Sequence, residues 1–181
     1  MKKIIFAALA VIAASLVLVS CAKQEAERVH DDTCDFSFEL PEGGEWKQTY
    51  SDGMLSISKV KDASKATISA FSFEHGLTEE TAVTSSEYWT GHYLPQLRNT
   101  FGKIDNVKLA DITLGNQVHA HAVYTVALGD EQFDCETILI LYGNKVYTLS
   151  LTQGAKTEEN KEYYKDCSDE FRKLADTFTI N

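Results

Sequence analysis

The stretch ETILILYGNKVYTLSL, residues 136–151, decides the fold. Two runs rich in β-branched, leucine and aromatic residues flank Gly143-Asn144, two residue types that tolerate the positive φ a tight hairpin turn demands. The pattern predicts antiparallel strands over 133–142 and 145–152. Working upstream, the same device repeats. VKLADITL (107–114), a turn at Gly115-Asn116, QVHAHAVYTVAL (117–128) and a turn at Gly129-Asp130-Glu131 lead into the hairpin, so residues 107–152 form a meander.

Further towards the N-terminus the period of two returns. FSFEL (36–40) places Phe36, Phe38 and Leu40 on one face, and PEGG breaks it ahead of Trp46. MLSISKV (54–60), after the turn signal SDG, and ATISAFSFE (66–74) are the next strands. Between these strands and the meander lies a helix. Thr84 precedes Glu87 by three residues, the spacing of a capping box, and EYWTGHYLPQLRNTF carries on to Phe101. Pro95 is expected to kink or interrupt it, because proline lacks the N–H of a helical turn and clashes with the turn before it. A second helix closes the chain. Thr157 is its expected cap, Glu158 and Glu159 sit at the positive end of the dipole, and Tyr164, Cys167, Phe171, Leu174 and Phe178 make one apolar stripe. That stripe has to be buried against the strands. The fold class is therefore α+β: an antiparallel β-sheet flanked by α-helices.

FSFELPEGGEW, the meander ending ETILILYGNKVYTLSL and the closing FRKLADTFTI together resemble the PsbP-like fold. It is shared by the extrinsic photosystem protein and by bacterial envelope proteins of the DcrB and LpqN type. The resemblance covers about residues 35–180. It implies an accessory or binding role without a shared set of catalytic residues.

The N-terminus carries the other legible signal. Met1-Lys2-Lys3 opens a charge-free run, IIFAALAVIAASLVLV, with the layout of a secretory signal. The run is too short for a transmembrane helix, which needs about 20 apolar residues. Leu18-Val19-Ser20-Cys21 resembles the lipobox of bacterial lipoproteins, in which the cut falls before the cysteine. The resemblance implies a diacylglycerol thioether on Cys21 and a further acyl chain on its new amino group, palmitate among them. Residues 1–20 are then the signal peptide, 21–33 a polar lipidated tether, and 34–181 a single domain. Ala22, rather than aspartate, follows the cysteine, so in a Gram-negative cell the outer membrane facing the periplasm is expected.

Without residues 1–20, which hold Lys2 and Lys3 and no acid, 15 basic and 27 acidic residues leave a charge of −12. Such a surface repels phosphate backbones, which excludes a nucleic-acid partner. The expected partners are the membrane, through the lipid, and a protein or small envelope ligand.

SISK (56–59) and SKVK (58–61) fit Ser-x-x-Lys, but they fall in a strand and lack the companion elements of that chemistry. Gly-x-Ser-x-Gly, P-loop and Gly-x-Gly-x-x-Gly patterns are absent from the sequence. His119 and His121 share a strand face, and such a pair can chelate zinc, yet a catalytic site needs a third protein ligand and nothing places His30, His75 or His92 nearby. Exposed histidines on a half-solvated strand are expected, with no metal, no cofactor and no catalytic residue. Trp46, Tyr88, Trp89 and Tyr93 read as core residues rather than a ligand groove. Cys34, Cys135 and Cys167 remain beside the acylated cysteine, and in an oxidising compartment they allow one bridge in any of three pairings. The hairpin puts Cys135 level with roughly residue 152, where the last helix begins, so Cys135–Cys167 leads, with Cys34 as the alternative partner. The expected function is a non-enzymatic envelope lipoprotein acting as a periplasm-facing binding or accessory module. The alternative is a periplasmic hydrolase with a site near His119 and His121.

Overall fold

A computed structural model describes residues 27–41, 45–51, 53–77 and 83–181. The expected signal peptide, Cys21 and the start of the expected tether lie outside the described residues. The meander is present as β6 (Ile104–Leu114), β7 (Gln117–Leu128), β8 (Glu131–Tyr142) and β9 (Lys145–Gly154). The decisive hairpin pairs Tyr142 with Lys145 across a two-residue turn in which Gly143 takes φ 60°. Glycine in the first central position matches the twist of the flanking strands.

Upstream, β3 (Lys47–Ser51), β4 (Met54–Lys61) and β5 (Ser64–Glu74) form a second meander. β5 pairs with β9, giving a wholly antiparallel seven-stranded sheet in the order β3-β4-β5-β9-β8-β7-β6. A small sheet, β1 (Arg28–Val29), β2 (Phe36–Glu39) and β10 (Thr179–Ile180), packs beside it. The expected α+β class with an antiparallel sheet flanked by helices is the architecture observed.

Both faces of the large sheet are covered, which is why residues 138–141 are apolar without alternation. Ile138 and Ile140 enter a first core with Tyr147, Leu149 and Leu151, beneath the helix α3 (Lys161–Asp176) and Phe36 and Phe38 of the small sheet. Cys135 and Leu139 enter a second core with Tyr88, Trp89, Tyr93 and Tyr124, beneath the helical segment after Thr84. That segment runs as α1 (Ser85–Tyr88), a π-helical turn (Trp89–Tyr93) and α2 (Leu94–Phe101). The Thr84–Glu87 capping box is formed reciprocally.

Three boundaries differ from the sequence expectation. The helix passes Pro95 instead of stopping: a π turn lies directly before it, the Leu94 N–H reaches the Trp89 carbonyl, and Pro95 occupies the first turn of α2, where its missing N–H costs least. α3 starts at Lys161 rather than after Thr157, because the Asn160 side chain accepts from the Thr157 N–H at 2.7 Å and closes a turn upstream. The domain also begins earlier than residue 34. Val29 is fully buried, Arg28 and Val29 pair with Glu39 and Phe38, and Arg28 Nε donates to Ser37 Oγ at 2.9 Å. One buried valine in a polar stretch has no period to detect, so the strand was invisible in the pattern.

Candidate functional site

His119 and His121 do project from one face of β7, the face beneath α3. They are not exposed there. His121 Nε2 lies 2.7 Å from Oε1 of Glu136, a buried residue on the neighbouring β8. A carboxylate only accepts, so Nε2 carries the proton of this bond. Arg172 of α3 donates Nε to the same oxygen at 2.9 Å. Burial alone would push the Glu136 carboxyl up. The hydrogen bonds from His121 and Arg172, with the guanidinium charge, outweigh it and hold the carboxyl below the usual glutamate range. This cluster clamps α3 to the sheet through one carboxylate. His119 is only 6% exposed, and burial lowers its basicity. Its Nδ1 has no hydrogen-bond partner among the described residues.

The two histidines therefore differ: His121 is committed to Glu136, and His119 is buried with no partner for Nδ1 among the described residues. No hydrogen bond joins either to a hydroxyl or thiol, and no group of three metal-ligating side chains gathers, among the described residues. Glu136 and Arg172 were missed in the sequence. The available signal was Glu136 directly before the apolar run TILILY, on a strand whose residues 137–140 are all buried, since a buried charge requires a partner.

The Ser-x-x-Lys match of residues 56–59 lies in a strand, as expected. Ser56 and Lys59 project from opposite faces of β4. Ser56 Oγ lies 3.3 Å from Ser69 Oγ, whereas Lys59 Nζ contacts Glu45 at 2.9 Å and Glu170 at 3.0 Å. Trp46 Nε1 donates to Glu170 at 2.8 Å, so this group ties the chain after the FSFEL strand to α3. Asp35 accepts from Lys145 Nζ at 2.7 Å and Tyr147 Oη at 2.8 Å, and ties the small sheet to the large one. Burial opposes its charge, but these two donors keep its carboxyl low.

The expected Cys135–Cys167 pairing is corrected. Cys34, Cys135 and Cys167 are free thiols, and Cys135 and Cys167 belong to cores on opposite faces of the sheet. The register expectation holds, since Cys135 lies opposite Thr152. The face was the missing information. Burial pushes both thiols up to about 11, far from the thiolate a nucleophile needs.

Three surface cavities of similar size lie among the described residues. One of ≈ 440 Å³ lies beside the start of α1 and the β6–β7 hairpin and includes Asp111, Val118 and Leu141. A second, ≈ 450 Å³, is bounded by Lys65, Phe133 and Tyr164 at the ends of β5, β8 and β9. The third, ≈ 460 Å³, lies between Leu40-Pro41 and the end of α3.

No family model and no curated protein matches the chain. Solved structures do. The cyanobacterial PsbP protein CyanoP of Synechocystis sp. PCC 6803 superposes with TM-score 0.56 at 14% identity, over 89% of this chain and 96% of that one. The Ran-binding protein Mog1p of Saccharomyces cerevisiae gives TM-score 0.58 at 8% identity, over 86% and 95%. LpqN of Mycobacterium tuberculosis, described as involved in cell envelope biogenesis, gives 0.50 at 15%, over 87% and 92%. At such identities the likeness carries the fold and nothing beyond it. The chain has a PsbP-like fold.

Proposed function

We infer that this PsbP-like body is a non-enzymatic accessory module of the cell envelope, held by lipid on Cys21 and binding a protein or a small envelope component. The observation that carries the reading is the Leu18-Val19-Ser20-Cys21 box at the end of a charged-then-apolar leader. Each buried methylene contributes about 0.8 kcal/mol, so two or three acyl chains hold a body that one would release. Paired β-structure begins at Arg28, seven residues after Cys21. At roughly 3.5 Å per residue the link spans no more than about 25 Å, which keeps the small sheet close to the bilayer. With Ala22 after the cysteine, an outer membrane facing the periplasm is the site proposed for a Gram-negative cell. The charge of −10 in the whole chain suits a body tethered by lipid alone and favours basic partners.

Metabolic labelling with a palmitate analogue is expected to mark the protein, and Cys21→Ser to abolish both the label and membrane retention in high salt. A serine variant that stays with the membrane overturns the anchor. The 2.7 Å His121–Glu136 pair is the one observation favouring a hydrolase instead. Across an esterase, phosphatase and peptidase panel no turnover is expected. Turnover lost in a folded His121→Ala variant would establish the hydrolase.

A further inference from the structure

β6 ends the seven-stranded sheet. Its first residues are irregular: the register with β7 shifts between Asp105 and Lys108, and Asn106 takes φ 53°. From Lys108 to Leu114 it is regular, seven consecutive residues paired with Val123 back to Gln117. Among the described residues no backbone hydrogen bond reaches the outer side of this stretch. Its side chains are exposed or half-buried. An open row of strand N–H and C=O groups of this length is a template for another strand.

The side chains define what would pair with it. Alternation puts Leu109, Asp111 and Thr113 on the α1 side, because Leu109 and Asp111 lie opposite the buried Ala122 and Ala120 of the second core. Lys108, Ala110, Ile112 and Leu114 take the other side. On the α1 side Leu109 is 38% exposed, and Val118, opposite Thr113 on β7, is 61% exposed. Asp111 lies between them and borders the ≈ 440 Å³ cavity with Val118 and Leu141. Asp111 Oδ1 accepts from Ser86 Oγ at 2.7 Å, and no cation is paired with the carboxylate among the described residues.

We propose that the Lys108–Leu114 edge with this cavity is a docking site for an extended polypeptide segment carrying a lysine or arginine between apolar residues at alternate positions. The segment adds an eighth strand, its apolar side chains lie beside Leu109 and Thr113 on the same face, and its cation reaches Asp111 at the edge of the cavity. Main-chain bonds supply affinity and the alternate side chains supply selectivity. A second copy of this chain is a poor occupant. Pairing two β6 edges about their middle brings two Asp111 carboxylates together, and Lys108 cannot neutralise them from the opposite face. The site deepens the binding reading above by naming a partner class, and it stands whether or not Cys21 is acylated.

The probe is the acetylated, amidated peptide Val-Thr-Val-Thr-Arg-Thr-Val-Thr-Val, added to the full-length mature protein in detergent micelles and followed by fluorescence polarisation and amide hydrogen exchange. Binding is expected to slow exchange across residues 108–114. Glutamate in place of the peptide's arginine is expected to weaken binding at least about tenfold, since a charge-assisted contact becomes a repulsion. Asp111→Lys reverses that preference. Methylation of alternate peptide amides abolishes binding without touching the protein. The proposal is overturned if arginine and glutamate peptides bind alike, if the arginine peptide does not bind, or if protection falls away from β6. Concentration-dependent protection of β6 without peptide overturns it too, by showing self-association. Membrane release of Cys21→Ser is read separately, so either reading can fail alone.

Discussion

Phe171→Ala is expected to cost about 3–5 kcal/mol of folding stability, the range for removing a fully buried aromatic from a close-packed core. Phe171 has no exposed surface and stands at the centre of the α3 stripe, between Cys167 and Leu174, in the same core as Phe36 and Phe38. α3 has no side-chain cap at its N-terminus, and apart from this stripe it is held by polar ties through Tyr163, Tyr164, Ser168, Glu170 and Arg172. Domains of this size are stable by roughly 5–15 kcal/mol, so the variant should be marginal at 25 °C. Urea unfolding followed by circular dichroism reads the effect as a lower midpoint at an unchanged slope. Val60→Ala, on a 64% exposed side chain, is the control and should fall within about 0.5 kcal/mol of the parent. A Phe171→Ala loss below about 1 kcal/mol would mean that α3 is not packed as described.

The same helix shows what a sequence can reveal. Tyr164, Cys167, Phe171 and Leu174 recur at helical spacing, so the existence of α3 and its buried face were legible, as were the Gly143-Asn144 hairpin and its register. Periodicity identifies a face but does not say which of two layers covers it. Cys135 was therefore placed level with the correct residue and on the wrong side of the sheet from Cys167. Pro95 was legible as a disturbance, but whether a helix breaks or absorbs it through a π turn depends on the packing of Trp89 and Tyr93, which bury the inner side of that turn. The histidine pair was legible as a pair. Its environment was not, because Glu136 comes from the next strand and Arg172 from a helix 36 residues further on. The open edge at β6 follows from the strand order, and β5 pairing with β9 rather than β6 is a long-range choice that local patterns do not encode.

Glu136 should also make stability depend on pH in a defined direction. Its carboxyl is held below the usual glutamate range in the folded protein, against the cost of burial, by His121, Arg172 and the guanidinium charge. A depressed carboxyl binds its proton less readily when folded than when unfolded. Its contribution is therefore complete above the unfolded value of about 4.3 and fades as pH falls through the folded value. Glu136→Gln separates charge from shape. His121 and Arg172 both address the same oxygen, Oε1, and glutamine keeps an accepting oxygen while losing the charge. At pH 7 the variant is expected to lose about 1–3 kcal/mol, the range for hydrogen bonds to a charged group. Half-exposed Arg172 can turn to water, which favours the lower end. Glu136→Ala should lose more, because a half-buried histidine nitrogen is then left without its acceptor. Measured by urea unfolding, the gap between the parent and Glu136→Gln should close as pH falls below about 4.3 towards 3, as the parent takes up the proton that the variant has no site for. Asp35 and the other paired carboxylates titrate in both proteins and cancel in the difference. A gap that stays flat down to pH 3 would show that the carboxylate charge does not hold α3 to the sheet.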